Sequence, residues 1–220
     1  MMRFHFKYLV YLFMAIGYSL SNAGAYDDFF IAIKQDDARE VVALLNRGFD
    51  PNTPNPENLT GLYLALRDSS LKCAQVLIAW PKTKVETRTP KDESPLMIAA
   101  LKGHLDLVKK LIERDADVNK TGWTPLHYAA TNGHLPVIEL LLENHAYIDA
   151  ESPNGTTPLM MAAHYGTPAA VKLLLDSGAD PTLKNQLGLT ALDFAFRGER
   201  KDAAALIAAA VRSARPKGKW

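Results

Sequence analysis

Cysteine is almost missing from this chain: Cys73 is the only one in 220 residues. No disulfide can form within the chain, so whatever it folds into must be held by packing rather than by cross-links. Net charge is nearly missing too, with 25 basic against 24 acidic residues, and removing Arg3 and Lys7 leaves 23 against 24. That balance provides no basic field for nucleic acid. There is no phosphate-binding glycine loop, no G-x-S-x-G turn and no Cys–His pair suggested by position. His134 and His145 are eleven residues apart, which matches no zinc spacing. Neither a catalytic group nor a metal or cofactor site is expected.

A long apolar run is also lacking. The stretch from Tyr8 to Leu20 is interrupted by Gly17 and falls short of the ~20 apolar residues that a spanning helix needs. With Arg3 and Lys7 before it and Ala23-Gly24-Ala25 after it, it reads as a cleavable signal peptide. Residues 1–25 are expected to be removed, leaving Tyr26 first. No cysteine near Ala23 could carry a lipid, and there is no twin-arginine pair. Export of a disulfide-free chain by a short signal fits the periplasm of a Gram-negative bacterium, where Asn58-Leu59-Thr60 is an accidental sequon. The basic tail 214–220 reads as a solvated terminus.

What is present is a repeated sentence: Ser94-Pro95-Leu96-Met97-Ile98-Ala99-Ala100, Thr124-Pro125-Leu126-His127-Tyr128-Ala129-Ala130 and Thr157-Pro158-Leu159-Met160-Met161-Ala162-Ala163. With each Pro as origin, weaker copies begin at Asp28, Gly61 and Ala191, at spacings of 33, 34, 30, 33 and 33. A period near 33 marks a repeat array. Thr124 and Thr157 offer cap oxygens, and the following Pro suits a first helical position because its missing N–H would be unpaired there. Gly103, Gly133 and Gly166 end this short helix. A second helix carries an apolar pair sixteen and seventeen residues after the origin: Leu44-Leu45, Leu77-Ile78, Leu111-Ile112, Leu141-Leu142, Leu174-Leu175 and Ile207-Ala208. It ends at Gly48 and Gly178, with Asp115 and His145 in the same register, and a polar hairpin such as Glu151-Ser152-Pro153-Asn154-Gly155 follows.

With Thr124-Pro125-Leu126-His127 and Gly178-Ala179-Asp180 in place, the pattern resembles the ankyrin repeat from Asp27 to about Arg212. It departs at Asp27-Asp28-Phe29-Phe30, at Trp80-Pro81 and at Thr190-Ala191-Leu192-Asp193. The resemblance implies an all-α repeat solenoid of about six helix–turn–helix units joined by β-hairpin loops over residues 26–213, with atypical ends as caps. It also implies that His104, His127 and His134 are structural. Cys73, in a register held elsewhere by Leu107, Val137, Ala170 and Ala203, reads as a small buried residue.

For function, the resemblance implies a non-enzymatic, monomeric module that binds another protein on its concave face, without nucleic acid and without stable membrane insertion. The register places the residues six and seven after each origin there. Leu101, Trp123, His164 and Tyr165 then form an apolar and aromatic centre rimmed by Lys102, Thr131, Asn132 and Arg197, the composition of a binding hot spot. Exported relatives of this type suggest support of peroxide defence or immunity to an envelope toxin. A thiol-dependent role is the alternative outside binding, and requires Cys73 to be accessible and acidic.

Overall fold

The structure, a computed structural model, describes residues 24–214; most of the expected signal peptide and nearly all of the basic tail lie outside them. Within them are two compact units, one ending at Thr83 and the other beginning at Lys84. All regular structure among the described residues is helical. The connecting loops are hairpin turns without strands, the one isolated bridge pairing Pro54 with Thr60.

The first unit holds α1 (residues 24–34), α2 (Ala38–Asn46), α3 (Gly61–Arg67) and α4 (Leu71–Ala79). Its first copy lacks the Thr-Pro start and uses aromatic packing instead. Phe29 is fully buried, its ring centroid 4.6 Å from that of Phe49. A Cβ on Gly61 would come within 2.6 Å of the Phe29 ring, so the glycine at this origin makes room for the phenylalanine of the preceding copy. Trp80-Pro81 also has its physical reading. Proline disfavours helical backbone in the residue before it, and Trp80 closes α4 in an extended conformation (φ −73°, ψ 123°) rather than a left-handed one.

The second unit holds four helix pairs: α5 (Pro95–Lys102) with α6 (Leu105–Ile112), α7 (Pro125–Asn132) with α8 (Leu135–Glu143), α9 (Pro158–His164) with α10 (Pro168–Asp176), and α11 (Ala191–Arg197) with α12 (Lys201–Ala214). The first helices form one row, α5 against α7, α7 against α9 and α9 against α11, while α6, α8, α10 and α12 form a second. The starts are capped as their residues dictate. Ser94 Oγ accepts from Met97 N–H at 3.2 Å and Thr157 Oγ1 from Met160 N–H at 3.4 Å, each with proline at the first helical position.

Alanines at the row contact, Ala99, Ala129, Ala130, Ala162 and Ala163, are all buried and let the helices approach closely. Gly103 and Gly133 close α5 and α7 in left-handed backbone (φ 73° and 68°). Gly166 serves a different need: a Cβ there would stand 2.5 Å from the Ala130 carbonyl oxygen of the neighbouring copy.

The apolar pair of each second helix divides its work in the second unit. Leu111, Leu141, Leu174 and Ile207 are completely buried, whereas Ile112, Leu142, Leu175 and Ala208 are half-buried. Burying one such leucine fully contributes about 2 kcal/mol. Asp115 and His145 take left-handed backbone (φ 62° and 63°), standing where Gly48 and Gly178 stand in their own copies.

Candidate functional site

The first-helix row of the second unit presents one side to the hairpins, and on it residues three apart lie one above the other. Three residues after each origin stand Tyr128 and Met161; three further on stand Leu101 and Thr131. These four, with Trp123 from the turn before α7, line a hollow of about 220 Å³. All five are half-buried: neither lost in the core nor fully in water.

The walls are held in place by hydrogen bonds. Tyr128 Oη donates to Glu93 Oε1 at 3.1 Å, and Thr131 Oγ1 donates to the His127 carbonyl at 2.8 Å. The Leu101 carbonyl accepts from Asn132 Nδ2 at 2.8 Å and from His134 Nε2 at 2.9 Å, which fixes the end of α5 beside α7. The Trp123 ring meets His127 edge-on at 5.2 Å.

His127 is the keystone beneath the hollow. It is fully buried: Nε2–H donates to the Thr156 carbonyl at 2.8 Å while Nδ1 accepts from Thr124 N–H at 3.2 Å and lies 2.9 Å from Thr124 Oγ1. The carbonyl partner fixes the tautomer, since only a protonated Nε2 can donate to it. Burial lowers its pKa to about 4. His104 is also shifted down, by burial and by the charges of Lys102 and His134. His127 and His134 join turns and helix ends to one another, and among the described residues no group of His, Cys, Asp or Glu could hold a metal ion.

The eight residues expected at the site do not all meet. Leu101, Trp123 and Thr131 line the hollow. Lys102 and Asn132 are exposed beside it, at the ends of α5 and α7. His164 and Tyr165 form a separate patch, rings 4.1 Å apart and edge-on, with His164 Nδ1 donating to the Phe194 carbonyl at 3.0 Å. The Arg200 guanidinium donates to the Tyr165 carbonyl at 3.0 Å, and Arg197 is exposed at the end of α11. The structure thus distributes the expected residues over two places: His164, Tyr165 and Arg197 do not line the hollow. Tyr128 and Met161 were not among the expected residues, although their register one turn before Thr131 and His164 could have found them.

Cys73 is fully buried in the first unit, its thiol 3.7 Å from the Ala32 carbonyl. Burial, first, and the charge of Asp36, second, push its pKa up to about 12. A thiol held protonated and out of reach is not placed for redox or nucleophilic chemistry, which removes the physical basis of the thiol-dependent alternative.

A second system of bonds links successive hairpins. Glu86 Oε2 accepts from Asp117 N–H at 3.0 Å, Asn119 Oδ1 from Tyr147 N–H at 2.8 Å, and Asp149 Oδ1 from Asp180 N–H at 3.1 Å. Each acceptor lies in one copy and each donor in the next. The hairpins of the second unit are thus coupled to one another.

A row of capped first helices, a row of second helices and coupled hairpins define a helical repeat protein. Residues 29–121 and 81–152 match the family model for ankyrin repeats (3 copies), and residues 143–195 match that for ankyrin repeats (many copies). The chain belongs to the ankyrin repeat family, whose repeats mediate protein–protein interaction and are in general non-enzymatic.

Among curated proteins, it is 37% identical over 104 residues to the ankyrin repeat and KH domain-containing protein mask of Drosophila melanogaster, covering 44% of this chain and 2% of that protein. It is 36% identical over 74 residues to the human neurogenic locus notch homolog protein 4, covering 34% of this chain and 4% of that protein. The chain spans between 2% and 16% of the length of the curated relatives it matches.

Among solved structures, it is similar to the human ASB11 ankyrin repeat domain, with TM-score 0.75 and 27% identity over 87% of this chain and 86% of that one. It is also similar to a chain of the Bdellovibrio bacteriovorus predatory endopeptidase Bd0816 in complex with immunity protein Bd3460, with TM-score 0.71 and 29% identity over 83% of this chain and 97% of that one.

Proposed function

We propose that this chain is an exported protein-binding module that docks a partner protein on the concave side of its second unit, in the bacterial periplasm. The observation that carries the reading is the hollow between Leu101, Trp123, Tyr128, Thr131 and Met161. Its lining is apolar and aromatic, its backbone is tied at several points, and its volume takes one bulky apolar side chain of a partner. A preformed pocket with an aromatic wall and a polar surround is what an interface anchor needs. Export rests on residues 1–25, whose charged start, short apolar stretch and small-residue end suit cleavage after Ala25. Among the described residues, no helix is long and apolar enough to cross a membrane.

A narrower reading is favoured by one specific observation, the similarity to a chain of the Bd0816–Bd3460 complex. On that reading the partner is an envelope peptidase and the module protects the cell that makes it. Site-specific photo-cross-linking in intact cells tests both readings. A benzophenone amino acid at the exposed concave position Lys102 is expected to capture a partner, and one at the exposed Lys109 on α6 is not. The adduct is expected in the periplasmic fraction, with the mass of a chain that begins at Tyr26. Capture of a peptidase supports the narrower reading. Equal capture from both positions contradicts docking in the hollow, and an intact Met1 in the membrane fraction contradicts export.

A further inference from the structure

The loop before α7 is shorter than its counterparts, because the spacing between the origins at Pro95 and Pro125 is 30 where the others are 33 or 34. The longer turns are organised by a side-chain oxygen six residues before the origin. Thr89 Oγ1 accepts from the N–H groups of Lys91 and Glu93, both at 3.2 Å, and Asn185 Oδ1 from those of Leu187 and Leu189, both at 3.0 Å. In the shortened turn the same register falls on Asn119, which is engaged with His145 and Tyr147 instead.

Neighbouring turns also bond through the backbone: Gln186 N–H donates to the Asn154 carbonyl at 3.0 Å. One copy earlier, the residue in the register of Gln186 is Pro153, which has no N–H to give to Thr121, the counterpart of Asn154.

Lys120 supplies what this turn lacks. Its side chain is only 5% exposed, and its ammonium donates to Asp92 Oδ2, to the Thr121 carbonyl at 2.8 Å and to the Trp123 carbonyl at 3.2 Å. An ammonium has three N–H donors, and all three are used. The ammonium gives the Thr121 carbonyl a donor that Pro153 cannot supply, and joins the turn at Asp92 directly to the backbone that carries the indole wall of the hollow. A buried lysine without acceptors would be strongly unfavourable, so this geometry holds only while all the partners are in place.

We propose that Lys120 is the positioning residue of the concave hollow, fixing the Trp123 indole against His127 through the Trp123 carbonyl and anchored in turn by Asp92. The proposal rests on the reading that the hollow is where a partner docks. In the free protein it makes Trp123 a preorganised wall rather than a loose aromatic, so that little ordering is left to be done on binding. It also explains why the shortened loop is compatible with a defined hollow: the cation does the work of the three absent residues.

The test is fluorine NMR of the full chain labelled with 5-fluorotryptophan, whose three indoles, Trp80, Trp123 and Trp220, are assigned by single replacement with phenylalanine. Lys120→Met keeps the length of the side chain and removes its donors, while Asp92→Ala removes the anchor and leaves Lys120 in place. Well below the melting temperature, each variant is expected to shift the Trp123 line and broaden it at least about twofold through new motion, leaving the other two lines unchanged. The double variant is expected to do no more than either single one, because the two residues act as one device.

A role limited to stabilising the turn would lower the melting temperature without moving the Trp123 line in the folded protein, and that result overturns the proposal. So does failure of both variants to fold, which would make the pair a folding requirement; if only Lys120→Met fails, Asp92→Ala decides. Because the lines are read without any partner, this outcome is separate from whether Leu101 and Trp123 contribute to docking.

Discussion

Leu141→Asp is expected to destabilise the second unit by on the order of 4 kcal/mol, the largest effect of any single change considered. Leu141 is completely buried in the last turn of α8, on one face with the buried Val137 and Ile138. The substitution loses about 2 kcal/mol of apolar burial and adds the cost of placing a carboxyl group in the core. In a repeat stack each copy is stabilised through its neighbours, and α8 packs against both α6 and α10, so two interfaces are weakened at once.

The buried carboxyl has a raised pKa, so the folded form binds the proton more tightly than the unfolded chain. The variant should therefore regain stability as pH falls toward that raised value, the opposite of what the parent does. Leu142→Asp gives the matching control, because Leu142 is only half-buried and its change should cost clearly less. Thermal melts at neutral pH measure both. A Leu141→Asp protein melting within a degree or two of the parent would contradict the register of the second helices.

Acidification is expected to remove about 3 kcal/mol of stability through His127 alone, the second largest effect. Its pKa is about 4 in the fold, against the ordinary histidine value of 6.5. Each unit of difference corresponds to about 1.4 kcal/mol. Between these values the unfolded chain binds the proton and the folded protein does not, so stability is fully present above pH 6.5, falls as pH drops, and is lost by about pH 4. Protonation would place a second N–H on Nδ1, directed at the Thr124 N–H that it now accepts from, and would disrupt the cap of α7.

Other groups titrate in or below this range. His104 is shifted in the same direction, Asp92, Asp180 and Asp193 are held low by hydrogen bonds, and Glu86 and Asp149 are raised by burial. The measurement is therefore the difference between parent and His127→Gln melts from pH 7 to pH 4. Glutamine keeps a donor for Thr156 but cannot titrate, so the parent should lose more stability than the variant across this window. Parallel curves would contradict a neutral, buried imidazole.

The repeat sentence makes most of this fold legible because it combines two independent local signals, a capped helix start and a helix with one buried stripe. Both survive translation into geometry: Thr157 caps α9, and Leu111, Leu141 and Leu174 are sealed in the core. Even the left-handed backbone of Asp115 and His145 follows from their alignment with Gly48 and Gly178.

The candidate site was legible only in part, and the reason is directional. Counting along the sequence selects the last residues of each first helix, but a concave surface is built from side chains stacked across neighbouring helices. Tyr128 and Met161, one turn earlier, therefore line the hollow, while Tyr165 points to a patch with His164. Lys120 was hidden for another reason. In sequence it is one more charged residue in a polar loop, and only the shortened spacing and the proline at 153 show that the turn lacks a donor.

The central claim is that a partner protein docks in the hollow, and the most direct test is the affinity of the captured partner for variants of its two faces. Leu101→Ala with Trp123→Ala removes two walls of the hollow and is expected to weaken binding by at least about 2 kcal/mol. Lys109→Glu, on the exposed side of α6, is expected to change it by less than about 0.5 kcal/mol. Lys109 is a cleaner control than Lys172, whose ammonium pairs with Asp176. Both proteins must melt near the parent temperature. A loss confined to the Leu101/Trp123 variant is the result this account predicts; equal affinity of the two variants, with folding verified, would contradict it.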